Sequence, residues 1–166
     1  MSLLERAGVR RVMAALQAAG SEAVPVELSE TARSAADAAS ALGCELGQIV
    51  KSLVFVVGER PVMALIAGDR RCRQAVLGEI LDLPGKVGRA DADLVRAVTG
   101  FSIGGVPPLG HLTALPTAID ASLWRFGTVH AAAGHSHCVF PVAPDALAAM
   151  TGGLVAAEIA DEAGHA

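Results

Sequence analysis

The 166 residues carry a formal net charge of −4, with 52% hydrophobic and only 18% charged side chains, and a chain of this length fits one domain, over 1–166, with a substantial core. Its longest apolar runs, 53–57 and 62–67, fall far short of a membrane span, so the apolar excess belongs to that core and no membrane partner is expected. The acidic balance argues against a surface that coats DNA or RNA through many phosphate contacts. Aromatics at 3%, with no tyrosine, give little support to a stacking platform for single strands; a nucleic acid recognised by its end stays open.

In chain order, 3–19 places Leu4, Val9, Val12 and Leu16 on one helical face and stops at Gly20. Arg6, Arg10 and Arg11 give this stretch the look of a transit peptide, but Glu5 interrupts them and the apolar run 12–16 is too short for a signal sequence. A short strand is expected at 24–28, then an alanine-rich helix over 31–43 with Ser34 as N-cap and Gly43 as stop. Segments 49–57 and 62–67 are rich in apolar and β-branched residues and flank Gly58-Glu59-Arg60-Pro61, so they read as a hairpin through the core.

Helical patterns recur at 73–81 and at 91–99, the latter capped by Asp91 and ended by Gly100; strands are expected at 117–119, 128–132 and 138–142. A last helix starts at Pro144-Asp145 and runs to about Met150. The irregular alternation of elements points to an α+β domain with a mixed, curved sheet rather than a regular parallel sandwich. Cys44, Cys72 and Cys138 are odd in number and widely spaced, which suggests no disulfide framework and fits a reducing, cytoplasmic compartment.

Three features could carry chemistry. Lys51 stands among Ile49, Val50, Leu53 and Val54 at the start of the central hairpin. Either it snorkels from a strand end to solvent, or it anchors an anionic or carbonyl oxygen. The segment Gly104-Gly105-Val106-Pro107-Pro108-Leu109-Gly110 combines glycines that allow close backbone approach with prolines that fix the path. It is a ligand-facing loop or a structural turn, and it matches neither a Walker loop nor a dinucleotide fingerprint. In Ala133-Gly134-His135-Ser136-His137-Cys138 the two histidines share a face if the segment is extended. One His-x-His with an adjacent Cys supplies too few aimed ligands for a metal site, so no metal or other cofactor is expected and a pocket-lining histidine is preferred. Ser136 lacks a Gly-x-Ser-x-Gly elbow, which argues against a serine hydrolase.

Together these features resemble the YbaK/ProX family of aminoacyl-tRNA deacylases, which includes the editing insertion domain of some prolyl-tRNA synthetases. The resemblance runs from the alanine-rich helix before Gly43, through Ile49-Val50-Lys51-Ser52-Leu53-Val54 and the hairpin, to Gly104–Gly110 and the Ala133-Gly134 segment. It implies a curved, partly barrel-like mixed β-sheet with flanking helices. It implies further that Lys51 is the catalytic centre, and that Gly104, Gly105, Pro108, Gly110, Gly134, Ser136 and His137 bind substrate. The implied reaction is hydrolysis of the aminoacyl ester on mischarged tRNA, with prolyl tRNA carrying alanine, serine, threonine or cysteine as substrate and a prolyl-tRNA synthetase as a possible partner. Val106-Pro107 stands where the cysteine-editing branch has a Cys-Ser pair, which leaves the amino acid open. Two rivals remain: a non-catalytic module that binds an aminoacyl group, a nucleotide or a synthetase, and a metal-dependent hydrolase around His135, His137 and Cys138.

Overall fold

The computed structural model describes residues 2–29 and 34–162. Ser2 caps a short 3-10 helix, Leu3–Glu5, and after Arg6 the chain enters helix α1, Ala7–Ala18. Val9, Val12 and Leu16 follow one another down a single face and are wholly buried. Strand β1, Val26–Glu27, leads to helix α2, Ala35–Leu42. The Ser34 hydroxyl accepts from the Asp37 amide at 3.1 Å, and Gly43 closes the helix with φ +67°. The first three positions of the helix expected over 31–43 lie outside the described residues.

The central hairpin pairs β2, Ile49–Val57, with β3, Arg60–Ala67, in an unbroken antiparallel register from Val50↔Ala67 to Val57↔Arg60. Gly58-Glu59 alone forms the turn, so Arg60 and Pro61, expected in the loop, belong to the strand. Then come β4, Arg70–Cys72; a 3-10 turn, Gln74–Val76, running into the short helix α3, Leu77–Ile80; β5, Val87–Arg89; and helix α4, Ala92–Thr99. Asp91 caps α4 by accepting from the Leu94 amide at 2.8 Å. Strand β6, Thr117–Asp120, precedes a 3-10 helix, Ala121–Arg125. Strands β7, Val129–His135, and β8, Cys138–Val142, form a second hairpin, followed by helix α5, Pro144–Thr151, and the short strands β9, Leu154–Ala156, and β10, Ala160–Glu162.

The large sheet runs β1-β8-β7-β2-β3-β6-β9, with β5 added beside β2, while β4 and β10 pair separately. It is mixed: β2/β7, β3/β6 and β6/β9 are parallel and the remaining pairs antiparallel. This is the expected α+β arrangement, and its path is open, with β1 and β9 at the ends. Side chains alternate across β2 and β3. Val50, Met63, Leu65 and Ala67 join α1 in one core cluster, and Phe55, Val57, Val62, Ala64 and Ile66 join α3 in a second on the opposite face.

One irregularity of this sheet places the site. Along a single edge of β2, β7 pairs only with Ile49 and Val50, and β5 only with Phe55, Val56 and Val57. Among the described residues no strand pairs with that edge in between, so Lys51, Ser52 and Leu53 border a split in the sheet.

Candidate active site

The split opens into a cavity of about 310 Å³. Lys51, Ser52 and Leu53 form one rim, Ala35 and Ala38 of α2 a wall, His130 and Ala132 of β7 another, and Ile103, Gly104 and Val106 a cover. Small side chains at Ala35, Ala38 and Ala132 are what leave the space. Helix α2 is held there by packing of Ala38 and Ala39 on Ile49, Val139 and Leu28.

Lys51 is half-buried, and its Nζ donates to the Arg70 carbonyl oxygen at 2.5 Å. Burial pulls its ammonium below the usual lysine value, while Cys72, Asp120 and Asp69 oppose that shift and Arg71 adds to it. The Cys72 thiol is pushed up to about 11, chiefly by burial, so it stays protonated at neutral pH and is a poor nucleophile. Lys51 thus presents a cation to the cavity with donors left over after the Arg70 contact.

Two polar residues of the cavity lining were not singled out from sequence. Ser52 Oγ and His130 Nδ1 are buried and, among the described residues, have no hydrogen-bond partner. Burial also lowers the His130 pKa, keeping the imidazole neutral. Buried polar groups are nearly always satisfied, so orphaned atoms on two residues that line the cavity mark candidate points where a ligand completes the network. His130 was hidden because a lone histidine between Val129 and Ala131 reads as an ordinary strand residue. Its alternation with those two core residues, which sends it to the opposite face, was the available signal.

The structure divides the substrate-binding residues expected from sequence into two groups. Gly104 and Ser136 line the same cavity as Lys51. Gly105 and Gly134 lie behind it, where backbones touch. A Cβ on Gly105 would come within 2.9 Å of the His135 backbone, and one on Gly134, at φ +93°, within 2.7 Å of the Gly8 carbonyl oxygen. Both border a neighbouring depression with Phe101 and Arg96. Pro108 is buried in the loop, and Gly110, with φ +83°, accepts at its carbonyl from Arg11 Nη2 at 2.7 Å, tying the loop to α1.

His137 sits with Ser136 at the tip of the β7/β8 hairpin, so the segment is not extended there. Its amide donates to His135 Nδ1 at 3.1 Å, the two rings lie 5.5 Å apart, and its Nε2 is buried without a partner among the described residues. Cys138 is wholly buried, and among the described residues no three His, Cys, Asp or Glu side chains come together as a metal site.

The aminoacyl-tRNA editing domain family matches residues 29–150 of this chain. The chain is 30% identical, over 77% of its own length and 78% of the relative's, to a proposed Cys-tRNA(Pro)/Cys-tRNA(Cys) deacylase of Enterococcus faecalis. It is 38% identical over 63 residues to a proline–tRNA ligase of Lactobacillus gasseri, a match that spans 38% of this chain and only 11% of the ligase. Among solved structures it is similar to a proposed trans-editing enzyme for prolyl-tRNA synthetase, with a TM-score of 0.86 and 40% identity over 91% of this chain and 96% of that one.

Proposed function

Because the chain belongs to the aminoacyl-tRNA editing domain family, we propose that its cavity hydrolyses the ester of mischarged tRNA, acting in trans on prolyl tRNA that carries a small amino acid. The observation that carries this reading is the half-buried Lys51 at the split of the sheet, facing a cavity walled by alanines. Residues 1–166 act as one editing domain. The match to part of a proline–tRNA ligase supports a prolyl-tRNA synthetase as the partner that hands over the substrate. The substrate class supports a cytoplasmic location; among the described residues no helix is long and apolar enough to cross a membrane.

The aminoacyl group enters between α2 and β7, and the terminal ribose stays at the rim beside Lys51. Water adds to the ester carbonyl carbon, and negative charge builds on the carbonyl oxygen. The Lys51 ammonium stabilises it within a partly dry site, where such a contact is worth far more than in bulk water. The bond from the acyl carbon to the ribose oxygen then breaks, the ribose hydroxyl recovers a proton, and the amino acid leaves with a free carboxyl group. His130 Nδ1 is suited to orient the attacking water, and Ser52 Oγ to bind a polar group of the substrate. Gly104 and Ser136 close the cavity over the acyl group, with His137 behind them at the hairpin tip.

Selectivity is a matter of fit, since each methylene gained or lost in an apolar pocket is worth about 1–3 kcal/mol. The test is hydrolysis of prolyl tRNA charged separately with alanine, serine, threonine, cysteine and proline. Turnover of at least one small-residue ester, with the prolyl ester spared, is the expected result. Tight stoichiometric binding without turnover of any ester would replace the hydrolase by a binding module.

A further inference from the structure

Beside the aminoacyl cavity, and sharing Lys51 and Leu53 with it, runs a second groove of about 400 Å³. Its other polar residues are Arg70, Arg71, Gln74 and Arg89, over a floor that includes Phe55 and Cys72. Three separate elements bring these cations together. The register Phe55↔Arg89 lays β5 against the far half of β2, the turn after β3 starts β4 with Arg70 and Arg71, and Lys51 reaches the Arg70 carbonyl across the gap.

Among the described residues no carboxylate lines the groove, although the chain as a whole carries a net charge of −4. Nearby cations are neutralised: Arg73 pairs with Asp161 at 3.6 Å, and Arg125 with Asp69 at 2.7 Å. Among the described residues neither Arg71 nor Arg89 is held in such a pair, and both are exposed. Acids stand at its margins, with Asp161 opposite Arg71 and Glu162 opposite Arg70 in the β4/β10 pair and Asp69 and Asp120 acting on Lys51, but the lining itself gathers cations from three elements, which a bound polyanion would meet together.

We propose that this groove binds phosphodiesters of the single-stranded acceptor end of tRNA, namely those of the terminal nucleotide and its 5′ neighbour. The inference rests on the deacylase reading, and its direction follows from chemistry. The ribose that bears the ester in the first cavity carries its own 5′ phosphate, so the strand must leave past Lys51, and the groove that shares Lys51 receives it. Arg71 and Arg89 meet the phosphates, and Gln74 offers an amide to a ribose or base. Few contacts at one end suffice, which reconciles an acidic protein with an RNA substrate.

The test compares the native protein with Arg71→Ala, Arg89→Ala, the double variant, and Arg10→Ala, which removes an exposed cation outside the groove. Uncharged tRNA specific for proline is titrated at several salt concentrations. Each groove substitution is expected to flatten the log–log salt dependence by about 0.7, the value for one single-strand phosphate contact, and Arg10→Ala to leave it as in the native protein. With mischarged tRNA the double variant should raise KM at little cost in kcat. A 3′-aminoacyl adenosine, which lacks the 5′ phosphate, should separate native from variant by less.

A double variant with the native salt slope and native KM would overturn the groove. If the native protein hydrolyses mischarged tRNA in that case, the deacylase reading survives the loss. If it binds tRNA with a slope that the double variant flattens yet hydrolyses no ester, the groove stands and the deacylase reading fails.

Discussion

Lys51 and His130 show what a residue reveals by itself and what only its surroundings reveal. A lysine inside an apolar strand is conspicuous, because a charge there must be paired, solvated or used. The structure finds it half-buried and bonded to the Arg70 carbonyl at the mouth of a cavity. His130 and Ser52 were silent in the sequence, and their meaning rests on two orphaned atoms that appear only once β2 and β7 diverge. Two predictions belong at this scale. Neutral His130 accepts a hydrogen bond and its protonated form does not, and burial holds its pKa below the ordinary histidine value of 6.5. A pH profile of kcat/KM should therefore be flat through neutrality and fall only in acid, below 6.5; His130→Asn should flatten that limb and lower the rate, and an unchanged profile would remove His130 from the reaction. Ser52→Ala removes a buried hydroxyl that has no partner among the described residues, whose desolvation costs about 1–3 kcal/mol. Urea denaturation should find the variant at least as stable as the native protein while its KM rises, and a clear loss of stability would mean that the hydroxyl is satisfied in the native fold.

At the level of elements, the long periodic segments were legible: α1, α2, the central hairpin, α4, the β7/β8 hairpin and α5 fall close to where periodicity and caps put them. The short strands β4, β5, β9 and β10 were not, since three residues carry no period and owe their conformation to the neighbours they pair with. Two of them matter most for function. Strand β5, pairing only with the far half of β2, defines the split in the sheet, and β4 carries the arginines beside it. The glycine-rich segments were legible as special but not in what they do. Gly104 faces the cavity, whereas Gly105 and Gly134 allow the loop, the hairpin and α1 to touch backbone to backbone. Gly134→Ala combines a strained positive φ with a contact of 2.7 Å to the Gly8 carbonyl and should cost about 1–3 kcal/mol in denaturant unfolding. A variant as stable as the native protein would show that α1 can back away from β7 without loss.

For the whole molecule, composition set useful bounds: one small chain with an apolar core and too few cations to coat a nucleic acid. The mixed sheet agrees with the irregular order of elements, but its split could not be foreseen, because it depends on where two strands stop pairing with a third. Acid stability follows from the same packing. His111, His130 and His135 all have pKa values lowered first by burial; the Pro107 carbonyl opposes the shift at His111, where Arg11 adds to it, and Arg6 and His137 add to it at His135. A histidine with a depressed folded pKa supports the fold fully above its unfolded value, about 6.5, and that support is lost as the pH falls below it. Thermal unfolding should show Tm declining from about pH 6.5 downward, and His111→Gln should reduce the slope. The central claim, that the Lys51 cavity is where the ester is cleaved, is tested most directly by single-turnover deacylation of mischarged prolyl tRNA, on the ester that the native protein turns over fastest, by native protein and Lys51→Ala. A rate about 100-fold lower in a variant that still folds and still binds tRNA, as expected for the loss of one oxyanion contact, is the predicted result; a Lys51→Ala variant that cleaves the ester at the native rate would contradict it.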